Sequence, residues 1–225
     1  MRIGLSLLLA AAIGYLLGSI NSSIPVVRFF LGKDIRTLGS KNAGLTNTFR
    51  CAGKKCAAIT LVGDLLKGVV AVALARAICG AINAGLTPDN DTHYIGYIAG
   101  FFAIIGHIFP VYYNFKGGKG VLVGVSVFII VDPKVFCALL AIFIVILAIT
   151  KYVSLGSIIA TSFCPIATFL MSWIVDGYGL KRSLIYMLLS LPMAAIIIFM
   201  HHSNIGRLLK GTENKFSFKK SGMAK

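Results

Sequence analysis

The sequence predicts an all-α integral membrane protein with about seven transmembrane helices. Hydrophobic residues make up 57% of the 225 residues and charged residues only 13%, whereas an ordinary soluble domain is about 45–50% apolar and about 25% charged. A soluble domain of this length could not bury so much apolar surface in one core. The apolar residues also fall into seven separate stretches, most of which approach the roughly 20 residues that a helix needs to cross a bilayer.

In chain order, the apolar stretches are residues 3–27, 57–82, 94–115, 121–131, 135–150, 152–175 and 183–200. The first is too long for the apolar region of a signal peptide, so we expect a retained helix. The fourth and fifth are short and are separated by Asp132-Pro133-Lys134, which predicts a tight turn at a membrane face. We expect them to form a short helical hairpin or a re-entrant pair. We expect seven spans, with five as the alternative, in a single membrane domain over residues 1–225.

Positive residues are concentrated in alternate loops. Residues 28–55 carry seven Lys and Arg against Asp34, and residues 83–93 carry none. Because cytoplasmic loops are enriched in Lys and Arg, the seven-span arrangement places the N-terminus outside and the C-terminus in the cytoplasm, with 16 of the 22 cations inside. These cations lie in loops between spans rather than on one soluble domain. The net charge of +15 therefore does not indicate a nucleic-acid partner.

A polar segment with three cations follows the first apolar stretch. Residues 34–50 read DIRTLGSKNAGLTNTFR and include Arg36, Lys41 and Arg50. Glycines let the backbone approach a ligand closely, and successive backbone N–H groups in such a turn form a nest for anions. Hydroxyl and amide groups add donors, and arginine offers a bidentate fork for phosphate. The segment predicts a phosphate site, with a capped polar loop as the alternative.

Residues 106–120, GHIFPVYYNFKGGKG, form a second candidate anion site. Lys119 stands among three glycines at the start of the fourth apolar stretch. A lysine at a glycine-rich helix start suits a phosphate or a carboxylate. The segment is not a Walker A loop, because the spacing and the Ser or Thr after the lysine are missing. The alternative is an ordinary basic turn at the cytoplasmic face.

Residues 201–215, HHSNIGRLLKGTENK, follow the last apolar stretch. His201 and Asn204 are three positions apart and would share one face of a helix. The adjacent His201 and His202 would point to different sides, which disfavours a metal site there. The alternative is an interfacial tail whose long basic side chains reach the lipid headgroups.

Asp64 and Lys67 lie inside the second apolar stretch. Charged residues in a span are costly and usually face the protein interior or water, and at this spacing the two side chains can pair. We favour a structural pair near the site over a catalytic role. Carboxylates are otherwise scarce on the cytoplasmic side, so no cluster able to hold Mg²⁺ is expected, and neither a metal nor a cofactor is predicted.

Together these motifs resemble the bacterial acyl-phosphate:glycerol-3-phosphate acyltransferase family, the PlsY type. The resemblance runs from Gly18 to Lys215 and includes the three segments above, in order, and the sequence DLLKG at 64–68. Lys41 and Leu45 stand where the family usually has Gly and Ala, and residues 121–123 read VLV where the family more often has Val-Ala-Thr.

The resemblance implies transfer of a fatty acyl group from acyl phosphate to the 1-hydroxyl of glycerol 3-phosphate, giving lysophosphatidic acid for phospholipid biosynthesis. It implies a monomeric, multi-pass protein in contact with the lipid of the bacterial inner membrane, with its active site facing the cytoplasm. The residues expected to be catalytic are Ser40, Arg50, Lys119, His201 and Asn204. The residues expected to bind substrate are Gly39, Asn42, Gly44, Thr46, Asn47, Lys116, Gly117, Gly118, Arg207 and Glu213.

The expected mechanism is direct attack of the glycerol hydroxyl on the acyl carbon, with cations stabilising the departing phosphate and the developing oxyanion. The donor phosphate is the favoured base, with His107, His201 and Asp34 as alternatives. An acyl-CoA-dependent enzyme would carry an HxxxxD box, and no histidine here has an aspartate five residues on. An organic-anion transporter is the alternative from another class, although its site would lie near mid-membrane, whereas these motifs gather at one face.

Overall fold

The computed structural model describes residues 2–82 and 92–216, and within them the chain is helical without strands. The α-helices are α1 (Arg2–Gly18), α2 (Ser23–Leu31), α3 (Leu45–Ile82), α4 (His93–Ile108), α5 (Val121–Val131), α6 (Pro133–Thr150), α7 (Val153–Leu170), α8 (Gly179–Phe199) and α9 (His202–Leu209). Short 3₁₀ turns lie at Ile35–Thr37 and Val111–Tyr113, and a π turn at Met171–Val175 follows α7. The all-α prediction is confirmed.

Six helical segments are long and apolar enough to cross a membrane. They are Arg2–Leu31, Leu45–Ile82, His93–Tyr113, Pro133–Thr150, Val153–Val175 and Gly179–Phe199. The seventh apolar helix, α5, has 11 residues and is about 16 Å long at 1.5 Å per residue. The prediction of about seven apolar helices, some of them short, is therefore confirmed. The orientation of the two termini stays a prediction.

The described residues group into two compact units, one ending at Val131 and the other beginning at Asp132. The first unit contains α1 to α5 and the loops at 32–44 and 109–120. The second contains α6 to α9. In the second unit, the Asp132 carboxylate accepts hydrogen bonds from the backbone N–H groups of Lys134 (3.1 Å) and Val135 (3.2 Å). The turn predicted at 132–134 is thus the capped start of α6. That one membrane domain covers residues 1–225 stays a prediction.

In the first unit, the first apolar stretch contains two helices rather than one. The break between α1 and α2 contains buried polar residues whose groups bond to neighbouring segments. The Asn21 side-chain amide donates to the carbonyl oxygen of Ala43 (3.2 Å), and the Ser22 N–H donates to the Asp64 carboxylate (3.2 Å). Hydropathy alone did not reveal this break, because residues 19–22 interrupt the helix without adding charge. The break fixes the end of α1 to the 32–44 loop and to α3.

Small residues allow α1 and α4 to approach closely. A Cβ placed on Gly14 or Gly18 would overlap the backbone of Ala99 or Ala103 on α4. In lipid, helix association depends on such close packing, because the surrounding hydrocarbon is as apolar as the helix surfaces. This contact is the centre of the first unit, and it sets where the loops at the ends of α1 and α4 meet.

Gly53 interrupts α3 with φ 81° and ψ −178°, a combination that is essentially restricted to glycine. We expect Gly53→Ala to lower the free energy of unfolding by about 1–3 kcal/mol through backbone strain. Gly4→Ala is the matched control, because a Cβ at either position meets nothing within 4 Å and only Gly53 has a positive φ. Thermal unfolding in detergent measures both variants. Equal midpoints would contradict a backbone requirement at Gly53.

Candidate active site

Asn47, in the first turn of α3, organises the loop formed by residues 32–44, here named the first loop. Its Nδ2 donates to the carbonyl oxygens of Leu38 (3.0 Å) and Asn42 (3.1 Å), and its Oδ1 accepts from the Ser40 N–H (3.0 Å). The residue is only 2% exposed. Both polar atoms of the Asn47 amide are therefore used in hydrogen bonds that close the loop. We assign Asn47 a shaping role, and direct contact with substrate stays a prediction.

The backbone of the first loop turns through three left-handed positions, Gly32 (φ 63°), Gly39 (φ 54°) and Lys41 (φ 59°). A Cβ on Gly39 would lie 2.5 Å from the Asn47 Oδ1 atom and 2.6 Å from the Cys51 Sγ atom. The left-handed conformation of Lys41 costs a residue with a side chain about 1–2 kcal/mol. This cost explains why glycine is usual at this position in the family that the sequence resembles. The loop therefore makes its tight turn with lysine at position 41. The side chains of Ser40, Lys41 and Arg50 are all exposed.

Arg36 connects the first loop to residues 109–120, here named the glycine loop. Its guanidinium pairs with the Asp34 carboxylate (Nη2 to Oδ2, 2.7 Å) and donates to the carbonyl oxygens of Tyr113 (2.7 Å) and Lys116 (3.2 Å). The Arg36 guanidinium holds the pKa of the Asp34 carboxyl below its usual range. A carboxylate held in this way is a weak base, which argues against Asp34 as the proton acceptor.

The glycine loop packs closely against the end of α4 and the first loop. The backbone N–H groups of Gly117 and Gly118 donate to the carbonyl oxygens of Ile108 (3.0 Å) and His107 (3.1 Å). A Cβ on Gly118 would overlap the His107 imidazole and lie 2.6 Å from the Ala43 carbonyl oxygen. Only glycine fits at position 118, and its absent side chain lets the two loops touch. Lys119 follows directly and is half-buried.

A buried network lies beneath this contact. The Lys67 ammonium donates to the Asp64 carboxylate (3.0 Å), to the Ile20 carbonyl oxygen (2.8 Å) and to His107 Nδ1 (2.8 Å). The pairing of Asp64 with Lys67 is therefore confirmed. The sequence did not predict that His107 is the third residue of this network. The available signals were the charged pair inside a span and a histidine close in sequence to the glycine loop.

In the second unit, His201, the residue immediately before α9, and Asn204 on α9 are both buried, whereas His202 is exposed. The prediction that His201 and Asn204 share a face, with His202 on another, is confirmed. His201 Nδ1 lies 2.7 Å from the Ile197 carbonyl oxygen. Because a carbonyl oxygen only accepts, Nδ1 carries a proton and donates it in this contact. Among residues 2–82 and 92–216, no three His, Cys, Asp or Glu side chains form a metal-binding group.

Glu213 forms hydrogen bonds with two of the predicted site residues of the second unit. Its carboxylate accepts from Asn204 Nδ2 (3.0 Å) and from Arg207 Nε (2.7 Å). The segment that carries it is attached to the turn between α6 and α7, where the Phe216 N–H donates to the Lys151 carbonyl oxygen (2.7 Å). A carboxylate repels a phosphate, so we assign Glu213 the role of orienting Asn204 and Arg207. Its predicted contact with substrate stays a prediction.

We expect Glu213→Ala to lower kcat/KM by about fivefold or more, since leaving polar partners unsatisfied costs about 1–3 kcal/mol. Glu213→Gln keeps an acceptor for Asn204 and is expected to fall between the alanine variant and the wild type. The control is Asn214→Ala, at an exposed neighbour in the same segment. Steady-state kinetics would contradict this assignment if Glu213→Ala matched the control.

The structure places the predicted site residues in two groups. Those of the first unit lie on the two touching loops and the first turns of α3: Gly39, Ser40, Asn42, Gly44, Thr46, Asn47, Arg50, Lys116, Gly117, Gly118 and Lys119. Those of the second unit lie at the start of α9, on it or after it: His201, Asn204, Arg207 and Glu213.

Residues 8–211 match the family model described as glycerol-3-phosphate acyltransferase. A glycerol-3-phosphate acyltransferase of Clostridioides difficile (strain 630) is 39% identical over 96% of this chain and 98% of the relative. Another, from Macrococcus caseolyticus (strain JCSC5402), is 40% identical over 98% of this chain and all of the relative.

Two solved structures have a similar fold. The crystal structure of PlsY (YgiH), an integral membrane glycerol 3-phosphate acyltransferase, in its glycerol 3-phosphate form has a TM-score of 0.76 and 33% identity, covering 94% of this chain and 96% of the other. Its lysophosphatidic acid form has a TM-score of 0.74 and 31% identity, covering 96% of this chain and 97% of the other.

Proposed function

Because the chain belongs to the glycerol-3-phosphate acyltransferase family, we propose that it takes a fatty acyl group from an acyl phosphate and transfers it to the 1-hydroxyl of glycerol 3-phosphate. The product is lysophosphatidic acid. We further propose that the protein works as a monomer in the bacterial inner membrane, with its substrate loops facing the cytoplasm. In that position it meets soluble glycerol 3-phosphate on one side and a lipid-like donor on the other.

The observation that carries the proposal is the contact between the first loop and the glycine loop. Arg36 donates to two carbonyl oxygens of the glycine loop, and Gly118 lies against Ala43. Each loop has the composition of an anion site, and each carries exposed or half-buried cations. An acyl phosphate and glycerol 3-phosphate bring two phosphates to the reaction, whereas a thioester donor has no phosphate at its reacting carbon. Two adjoining anion sites therefore favour the acyl-phosphate donor.

In the proposed reaction, the 1-hydroxyl oxygen of glycerol 3-phosphate attacks the acyl carbon, and the bond from that carbon to the phosphate oxygen breaks. The departing phosphate takes the hydroxyl proton and leaves as inorganic phosphate. Lys119 and Arg50 neutralise the phosphate charges. Ser40, on the first loop, donates a hydrogen bond to a bound phosphate. Preorganised cations and N–H donors lower the barrier because they are in place before charge develops. The step uses no metal ion.

The donor phosphate is the proposed base because two of the three alternative side chains are engaged elsewhere. Asp34 is paired with Arg36, and His107 Nδ1 accepts from Lys67. In the proposed site, His201 and Asn204 orient glycerol 3-phosphate through hydrogen bonds, and Arg207 supplies a further cation.

The test supplies purified protein with glycerol 3-phosphate and one donor at a time: acyl phosphate, acyl-CoA or acyl carrier protein. Lysophosphatidic acid acylated at the 1-position and formed only from acyl phosphate is the expected result. Product formed only from a thioester donor would overturn the donor assignment. Uptake of organic anions by sealed proteoliposomes, without acyl transfer, would favour the transporter.

A further inference from the structure

The buried ammonium of Lys67 determines which nitrogen of His107 carries the proton. An ammonium group only donates hydrogen bonds, so the His107 Nδ1 atom 2.8 Å away must accept one. A second positive charge next to a buried ammonium is strongly disfavoured, so the ring is neutral. In a neutral ring with an unprotonated Nδ1, the proton is on Nε2.

All three hydrogens of the Lys67 ammonium have partners, namely the Asp64 carboxylate, the Ile20 carbonyl oxygen and His107. Asp64, Lys67 and His107 are 1%, 7% and 3% exposed. The Asp64 carboxylate is itself oriented by the Ser22 N–H, 3.2 Å away. Neither Lys67 nor His107 can turn without breaking a buried hydrogen bond, so the tautomer is held by geometry.

The protonated nitrogen of His107 lies at the glycine loop. Nε2 is the atom nearest to the position that a Cβ would take on Gly118. The Gly118 N–H donates to the His107 backbone carbonyl oxygen (3.1 Å), so the loop is attached to the backbone of the residue that carries the ring. Because residue 118 has no side chain, no Cβ fills the space beside Nε2.

We propose that Lys67 is a positioning residue for acyl transfer. It keeps the His107 proton on Nε2, and this N–H donates to an oxygen of the phosphate that the glycine loop binds. Lys67 acts through His107 and does not touch substrate. This inference rests on the proposed function, since it requires an anion on the glycine loop. A purely structural Asp64–Lys67 pair would stabilise the first unit without affecting the tautomer or the chemical step.

The first test is made on the wild-type protein and needs no substrate. The chain has four histidines, and nitrogen NMR of ¹⁵N-histidine-labelled protein in nanodiscs, with His107→Gln for assignment, reports the proton on each ring. A protonated Nε2 and an unprotonated Nδ1 are expected for His107. A proton on Nδ1, or a doubly protonated ring, would overturn the inference. Because no donor is present, failure of the acyl-phosphate proposal does not affect this result.

The second test uses the double variant Asp64→Asn/Lys67→Met, which removes both charges and leaves no buried ion unpaired. A buried ion pair replaced by neutral groups of similar volume is often tolerated, so the thermal midpoint is expected to stay close to that of the wild type. We expect kcat to fall at least tenfold, with a smaller change in KM. A wild-type kcat in this variant would contradict the proposal.

His107→Gln separates positioning from structure, because a glutamine amide can donate from the Nε2 position without help from Lys67. The triple variant Asp64→Asn/Lys67→Met/His107→Gln is expected to have a kcat within threefold of His107→Gln alone. His107→Leu, which lacks any donor, is expected to be at least tenfold slower than His107→Gln. If the double substitution reduced kcat in the His107→Gln background as much as in the wild type, Lys67 would not act through His107.

Discussion

Lys119→Ala is expected to lower kcat/KM for acyl transfer by at least about a hundredfold. Removing one group that stabilises developing charge costs about 10²–10³ in rate in well-studied enzymes. Lys119 follows Gly117 and Gly118, whose backbone N–H groups bond to the end of α4. The backbone that carries the Lys119 side chain is therefore held in place. Arg50→Ala is expected to have a similar effect, since arginine offers two parallel donors to a phosphate.

Steady-state rates of lysophosphatidic acid formation, measured over a range of both substrates, check this expectation. Lys33→Ala is the charge-matched control, because Lys33 is an exposed cation in the loop before the motif. Its rate is expected to stay close to that of the wild type. Near wild-type rates in both Lys119→Ala and Arg50→Ala would rule out the cation-stabilised mechanism.

Gly118→Ala is expected to reduce both stability and activity, because the new methyl group has no free space. It would overlap the His107 ring and lie 2.6 Å from the Ala43 carbonyl oxygen. His107 is held by Lys67, and Ala43 accepts from Asn21, so neither neighbour is free to withdraw. Overpacking of this kind costs about 1–3 kcal/mol, and separating the two loops should raise the KM for glycerol 3-phosphate at least about tenfold.

Thermal unfolding and the KM for glycerol 3-phosphate are measured on Gly118→Ala and on the Gly4→Ala control, where a Cβ meets nothing within 4 Å. The control is expected to match the wild type in both respects. If Gly118→Ala also kept a wild-type KM and midpoint, the first loop and the glycine loop could not be packed as described.

Hydropathy located the helices well but not their ends. α3 begins at Leu45, whereas its apolar stretch begins at residue 57, because residues 45–56 include Arg50, Lys54 and Lys55 and would not enter hydrocarbon. A hydropathy pattern reports which residues suit the bilayer. A helix that continues into the aqueous side is stabilised by its own hydrogen bonds and leaves no such signal.

The membrane class, the approximate number of apolar helices, the three polar motifs and the family follow from the amino-acid sequence, because all of these depend on composition and on spacing along the chain. The role of each polar group depends on how the chain packs in three dimensions. Asn42 and Asn47 look equivalent in the sequence, yet Asn47 is buried and closes the first loop, whereas Asn42 is only half-buried. Arg36 and Lys67 likewise have partners 77 and 40 positions away. Closing a loop and binding a phosphate require the same donors, so their roles depend on which distant groups packing brings within reach.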